Sequence, residues 1–181
     1  MTFNCLIAGV GGQGAVLASR LIATAAMKRG FDARTAETIG MAQRGGSVVS
    51  HIRIGSAIFS PLIPLGRADV LIGFDPAEAI RQLPFLSGSG KLITCDGSPE
   101  MTEYIKAVVP GAVVIPGQTI RTQYAKMLNV ALLGAALGSG AFPFGPDALA
   151  EAISDMPNYR EENLASFELG KKLYHDEYKY A

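Results

Sequence analysis

The stretch Phe3-Asn4-Cys5-Leu6-Ile7-Ala8-Gly9-Val10-Gly11-Gly12-Gln13-Gly14 decides the fold. A mostly apolar run enters a cluster of glycines and then a helical pattern. Such a run, bounded by glycine, predicts a central parallel strand buried on both faces. Gly9 to Gly14 satisfies G-x-G-x-x-G. Small residues there let the backbone turn sharply and bring helix N–H groups close to a phosphate-sized anion. By itself the spacing has two readings. One is a dinucleotide site; the other is tight packing of a helix on a strand.

Outward from this stretch, strands and helices alternate. Helix one is expected from about Gly12 to Arg29, with Leu17, Leu21 and Ala25 on one face and Gly30 as a left-handed cap. Strand two follows at Asp32–Glu37. Strand three, Val48–Ile54, alternates Val48, Ile52 and Ile54 with Val49, His51 and Arg53. That pattern suits a half-covered strand with His51 on its surface face. Gly55-Ser56 suggests a turn into Ala57–Phe59 and an antiparallel hairpin. Asp69–Phe74 is a further apolar strand. It leads into Asp75-Pro76-Ala77-Glu78, which reads as an N-cap, a proline at the first helical position and a capping box. Gly88-Ser89-Gly90 turns the chain into strand Lys91–Cys95, and Ala112–Ile115 is a short strand. One doubly buried helix is expected over Thr122–Leu137, followed by helices at Pro146–Met156 and Arg160–Tyr178. The expected fold is α/β: a three-layer, Rossmann-like sandwich with a mainly parallel sheet and an antiparallel hairpin. It forms one domain over residues 1–181.

Composition narrows the function. The chain has 181 residues, 49% hydrophobic and 18% charged. Soluble domains average about 25% charged residues. Either a large core or a face buried against a partner subunit accounts for the shortfall. Sixteen basic and sixteen acidic residues cancel, and no long basic run marks a nucleic-acid surface. No segment reads as a membrane span or a secretory leader, so a cytoplasmic protein is expected. Cys5 and Cys95 lie in separate predicted strands, outside any C-x-x-C. Two cysteines cannot supply the usual four thiolates of an iron–sulfur cluster, so no metal site is expected in this chain.

A second cluster redirects the first. Ala36-Glu37-Thr38-Ile39-Gly40-Met41-Ala42-Gln43-Arg44-Gly45-Gly46-Ser47-Val48 follows strand two. Together with Gly9–Gly14 it resembles the gamma-type subunit of 2-oxoacid:ferredoxin oxidoreductases. Its Gly-Met-x-Gln-Arg-Gly-Gly form is most similar to the beta subunit of the indolepyruvate type. The 2-oxoglutarate relatives usually carry a Pro-Glu-x-Arg-Gly-Gly loop. The resemblance continues through Ala68–Ala79, Asn129–Gly138 and Asn163–Gly170, and so covers nearly the whole chain.

The resemblance implies a fold like domain III of pyruvate-ferredoxin oxidoreductase. It also implies oxidative decarboxylation of a 2-oxoacid to an acyl-CoA and carbon dioxide, with electrons passing to ferredoxin. Thiamine diphosphate and iron–sulfur clusters would sit on partner subunits, because this chain has no Gly-Asp-Gly…Asn segment and no cysteine cluster. The chain would complete the active-site cleft, help admit CoA and be inactive alone. Whether it pairs with itself in isolation is left open, as is the choice among indolepyruvate, pyruvate, 2-oxoglutarate and branched-chain substrates.

The residues suit that role. The candidates for ligand or interface contact are Gly11, Gly12, Gln13, Gly14, Gln43, Arg44, Gly45 and Gly46. Arg44 on a glycine-flanked loop can hold a phosphate or carboxylate in two parallel hydrogen bonds. Gly45 and Gly46 allow a backbone nest or the close approach of a partner. A pair between Arg44 and Glu37 is the internal alternative. In the stand-alone NAD(P) reading, Glu37 would bind a ribose hydroxyl, about 20 positions beyond the glycines.

Overall fold

A computed structural model describes residues 2–40 and 45–178. β1 (Phe3–Val10) lies inside a six-stranded sheet, between β3 (Ser47–Gly55) and β4 (Ala68–Gly73). β2 (Asp32–Ile39) forms one edge beyond β3; β5 (Leu86–Cys95) and β6 (Val113–Ile115) extend the other side. β1, β4, β5 and β6 run parallel, whereas β3 is antiparallel to both β1 and β2. The antiparallel hairpin is therefore β2–β3, not the expected pairing of strand three with Ala57–Phe59. Ala57–Phe59 forms no strand, because both edges of β3 are already occupied, and Phe59 is 99% exposed.

Period-two alternation along β1 divides the core. Cys5 and Ile7 face a layer built from α1 (Ala15–Lys28), α5 (Leu128–Gly138), α6 (Asp147–Ser154) and α7 (Arg160–Tyr178). Leu6 and Ala8 face the opposite side, where Ala79 of α2 (Pro76–Arg81) and Ile105 of α3 (Pro99–Val108) are buried. This is the expected three-layer sandwich. Phe142 and Phe144 stack at 5.1 Å between centroids and are buried in the first layer, so this segment plugs the core.

Several boundaries differ from expectation. α1 begins at Ala15, since Gly14 at φ 81° and Gly12 at φ 95° hold left-handed turns that no helix contains. β5 begins at Leu86 and includes Gly88–Gly90. Its register against β4 shifts between Ala68 and Val70, and Gly90 permits this, because a Cβ there would stand 2.7 Å from the Ala68 carbonyl oxygen. α3 was not anticipated, although Ser98-Pro99-Glu100 carries a start signal. The Ser98 hydroxyl accepts from the Met101 N–H at 3.3 Å.

The expected single helix over 122–137 is two helices, α4 (Gly117–Gln123) and α5. Tertiary contacts hold the start of each helix. The Asp96 carboxylate accepts from the Gly117 N–H at 2.7 Å, and Ser166 Oγ donates to the Met127 carbonyl at 2.9 Å. α5 is buried from Leu128 to Leu137 between the sheet and α7. Two glycines make that packing feasible. A Cβ on Gly134 would overlap the Phe167 carbonyl, and one on Gly170 would overlap the Ala131 carbonyl.

His51 is buried, contrary to the surface position expected from strand alternation. The segment after β3 folds over that face and buries Ile63 beside it. His51 Nδ1 accepts from the Ile63 N–H at 3.2 Å, and the ring meets Phe85 edge-on at 5.6 Å. Burial holds its pKa below the ordinary histidine value. The unfolded chain therefore takes up this proton more readily than the folded one. The stabilisation is present above a pH of about 6.5 and is lost as pH falls through the depressed folded value. Denaturant titrations should show less stability at pH 5 than at pH 7, with His51→Gln reducing that dependence. An identical pH dependence in the variant would refute this assignment.

Candidate functional site

β1, β2 and β4 end at the same edge of the sheet at which β3 begins. α1 leaves β1 on one face and α2 leaves β4 on the other. A crevice must open where the chain's direction divides, the usual ligand position in open α/β sheets. A cavity of about 150 Å³ lies there. Gly12, Gln13 and Phe74 form its strand side; Arg121, Lys126 and Asn129 stand across from them.

The two glycine loops meet at this edge. The Gly11 N–H donates to the Gly46 carbonyl at 2.9 Å, and the Gly40 N–H donates to the Ser47 carbonyl at 2.9 Å. Gln13 locks the first loop: its side-chain oxygen accepts from the Val10 N–H at 2.8 Å. Gly14 holds the start of α1 by accepting from the Ala18 N–H at 3.0 Å. Thus Gly11, Gly12, Gln13, Gly14, Gly45 and Gly46 belong to one end of the sheet. Gln43 and Arg44 lie outside the described residues, between Gly40 and Gly45.

Arg121 and Lys126 were not singled out from the sequence. Lys126 fell inside the expected continuous helix and Arg121 just before its start. In the structure Arg121 lies on α4 and Lys126 in the break between α4 and α5, and both line the crevice. Neither has a carboxylate in ion-pair range among the described residues. The Arg121 guanidinium instead stands 3.9 Å from Cys95 Sγ. Asn129 is 6% exposed. Its amide nitrogen donates to the Gly14 carbonyl at 3.5 Å, which ties the glycine loop to α5.

The acidic residues hold structure. Asp75 caps α2 by accepting from the Ala77 and Glu78 N–H groups at 2.9 and 3.2 Å. Glu78 does not return to the cap as a capping box requires. It is buried, accepts from Ser47 Oγ at 2.7 Å and pairs with Arg81, so it fastens the start of β3 to α2. Glu37 accepts from Ser19 Oγ at 3.0 Å. It lies on β2, separated from β1 by the whole of β3. In a dinucleotide-binding half the ribose-binding acid stands on the strand beside β1, so this topology does not favour the NAD(P) reading.

Both cysteines are buried on separate strands. Desolvation raises the Cys5 pKa, with the Asp69 charge adding to the effect. Burial also raises that of Cys95, against the opposing pull of Arg121. Both are thiols rather than ligating thiolates at neutral pH. Among the described residues no three His, Cys, Asp or Glu side chains are grouped to hold a metal ion. The donor set does not fit an iron–sulfur cluster. No helix among the described residues is long and apolar enough to cross a membrane.

Comparison with known proteins agrees with this architecture. The family model for pyruvate ferredoxin/flavodoxin oxidoreductase matches residues 4–173. An indolepyruvate oxidoreductase subunit IorB from Archaeoglobus fulgidus is 38% identical, covering 94% of this chain and 94% of its own. The protein of that name from Methanothermobacter thermautotrophicus is 33% identical, covering 94% and 96%. Among solved structures, the pyruvate oxidoreductase subunit PORC of Thermotoga maritima superimposes with a TM-score of 0.76 at 22% identity, covering 95% of this chain and 96% of that one. The 2-oxoglutarate:ferredoxin oxidoreductase of Magnetococcus marinus, solved with 2-oxoglutarate, coenzyme A and succinyl-CoA bound, gives 0.76 at 21% identity. The match covers 97% of this chain and 31% of that longer one.

Proposed function

This chain belongs to the pyruvate ferredoxin/flavodoxin oxidoreductase family, and from that membership we propose that it completes the active site of an oxidoreductase acting on indolepyruvate or another aryl-pyruvate, without carrying a redox cofactor itself. At the coarser level it is a subunit of a 2-oxoacid ferredoxin oxidoreductase. The observation that carries the finer reading is the sheet edge. Two glycine loops join there beside Arg121 and Lys126, next to the residues that flank Arg44.

Thiamine diphosphate and iron–sulfur clusters, held by partner subunits, supply the carbanion and electron-transfer chemistry. This chain's own residues bind and exclude. The N–H groups at the start of α1 favour an anionic group. Arg121 and Lys126 add positive charge in a partly enclosed crevice, where it is less screened than on an open surface. Arg44 offers a bidentate contact to a phosphate or carboxylate of CoA or substrate. Gly45 and Gly46, which carry no side chain, let a partner backbone approach the loop closely.

Affinity purification from the native cell, with oxygen excluded, tests the reading. The chain should copurify with thiamine- and cluster-bearing subunits that reduce ferredoxin with an aryl-pyruvate. Recovery of the chain alone with NAD(P) bound would overturn it.

A further inference from the structure

The sheet face that carries α2 and α3 is covered unevenly. α2 packs over β1, β4 and β5. On the same side β3 meets the segment that follows it and Phe85, while β2 leaves Arg34 and Thr38 exposed. Four hydrogen bonds fix that segment. The Arg53 guanidinium donates to the Ser60 and Leu62 carbonyls at 2.8 and 3.4 Å, the Ile63 N–H donates to His51, and the Gly66 N–H donates to the Pro84 carbonyl at 2.9 Å. So held, the segment turns Ile63 inward and leaves Phe59, Leu62 and Leu65 99%, 52% and 67% exposed. Large apolar side chains grouped on a fixed surface mark an interaction site.

A groove of about 310 Å³ lies on this face, lined by Thr38, Gln82, Phe85 and the buried His51. His51 Nδ1 is an acceptor, which puts the ring proton on Nε2. That N–H has no acceptor among the described residues, and a nearly buried donor calls for one. Two positions along β3, Arg53 stands directly opposite Arg34 of β2. Like charges so placed repel. Among the described residues no carboxylate lies in ion-pair range of either, and Asp32, on the same face of β2, is outside that range.

We propose that this face docks the cofactor-bearing partner subunit. The docked segment sets a carboxylate between Arg34 and Arg53, an acceptor oxygen at His51 Nε2, and apolar side chains on Phe59 and Leu65. Charge argues for a different chain. In a twofold pairing of two copies through this face, the arginine pair of one copy would meet that of the other. Shape argues for a protein, since a flat lipid surface does not enter a groove to reach a nearly buried donor. The groove opens at Gly40 and Ser47, so this contact continues from the loop edge at which the chain completes the active site. The inference rests on the subunit reading above and names the surface that holds the partner.

Anaerobic titration of the labelled chain with the copurified partner subunits tests it. The double variant Phe59→Ser, Leu65→Ser should weaken assembly at least about tenfold. Arg34→Glu should weaken it by about tenfold and flatten its salt dependence. All three positions are exposed, so the unfolding midpoint of each variant alone should match that of the parent. Val108→Ser, an exposed apolar position on α3, is the control and should leave assembly unchanged. Parent-like assembly of both surface variants would overturn this proposal and leave the subunit reading standing. Failure of the parent chain to bind the partner subunits would overturn both. Sedimentation of the chain alone, and with vesicles containing phosphatidylserine, should show a monomer that stays in solution. Self-association or vesicle binding abolished by the double variant would overturn the proposal by assigning the face to a second copy or to lipid.

Discussion

Replacing Gly170 with alanine is expected to lower the unfolding free energy by about 3 kcal/mol, near the upper end for overpacking a core. In a chain of this length that corresponds to a fall in melting temperature of about 6–12 °C. Two effects compete. Alanine favours a helix over glycine by about 1 kcal/mol. Against this, the new methyl would overlap the Ala131 carbonyl on α5, and Gly134 stands in the reciprocal position against the Phe167 carbonyl. A clash with flexible side chains can relax by rotation. A clash with helix backbone cannot, so α7 must move off α5 and open the buried layer. Overpacking therefore wins. Gly111→Ala is the control: nothing lies within 4 Å of a Cβ there, and its effect should stay within about 0.5 kcal/mol. Urea denaturation followed by circular dichroism reads both. A Gly170→Ala midpoint equal to that of the parent chain would refute the clasp.

The second large effect is functional. Arg44→Ala should cut turnover of the assembled enzyme, or raise its Michaelis constant for CoA, by about 10- to 100-fold. This is the range expected for losing a hydrogen bond from a charged group. Assembly should survive, because Gly11 and Gly46 join the two loops through backbone atoms that the substitution leaves in place. Arg44→Lys keeps the charge but loses the bidentate geometry and should recover only part of the loss. Size-exclusion chromatography and steady-state kinetics on one preparation separate the two roles. Unchanged kinetics in an intact complex would reduce Arg44 to a structural residue.

The sheet was legible because its strands obey simple rules. Continuous apolar runs at β1 and β4 placed the parallel centre, and the two glycine loops were expected at the carboxyl edge where they lie. What escaped the sequence depends on contacts distant along the chain. Nothing in Thr122–Leu137 breaks a helix locally; Ser166 contacts the Met127 carbonyl at the break from elsewhere in the chain. Lys126 was hidden inside that expected helix, and Arg121 stood just before it. His51 sat on the polar face of its strand until the segment containing Ile63 covered it. The motifs within Asn129–Gly138 and Asn163–Gly170 matched family signatures without an evident reason. The fold supplies one: they are the two sides of the α5–α7 clasp, with Ser166, Phe167 and Gly170 meeting Met127, Gly134 and Ala131.

The central claim is that this chain completes a site whose cofactors lie on other subunits. Its most direct test is anaerobic ferredoxin reduction by the partner subunits, with indolepyruvate and CoA, before and after this chain is added. The account predicts negligible activity from either component alone and CoA-dependent reduction when they are combined. Full activity of the partner subunits without this chain would contradict it.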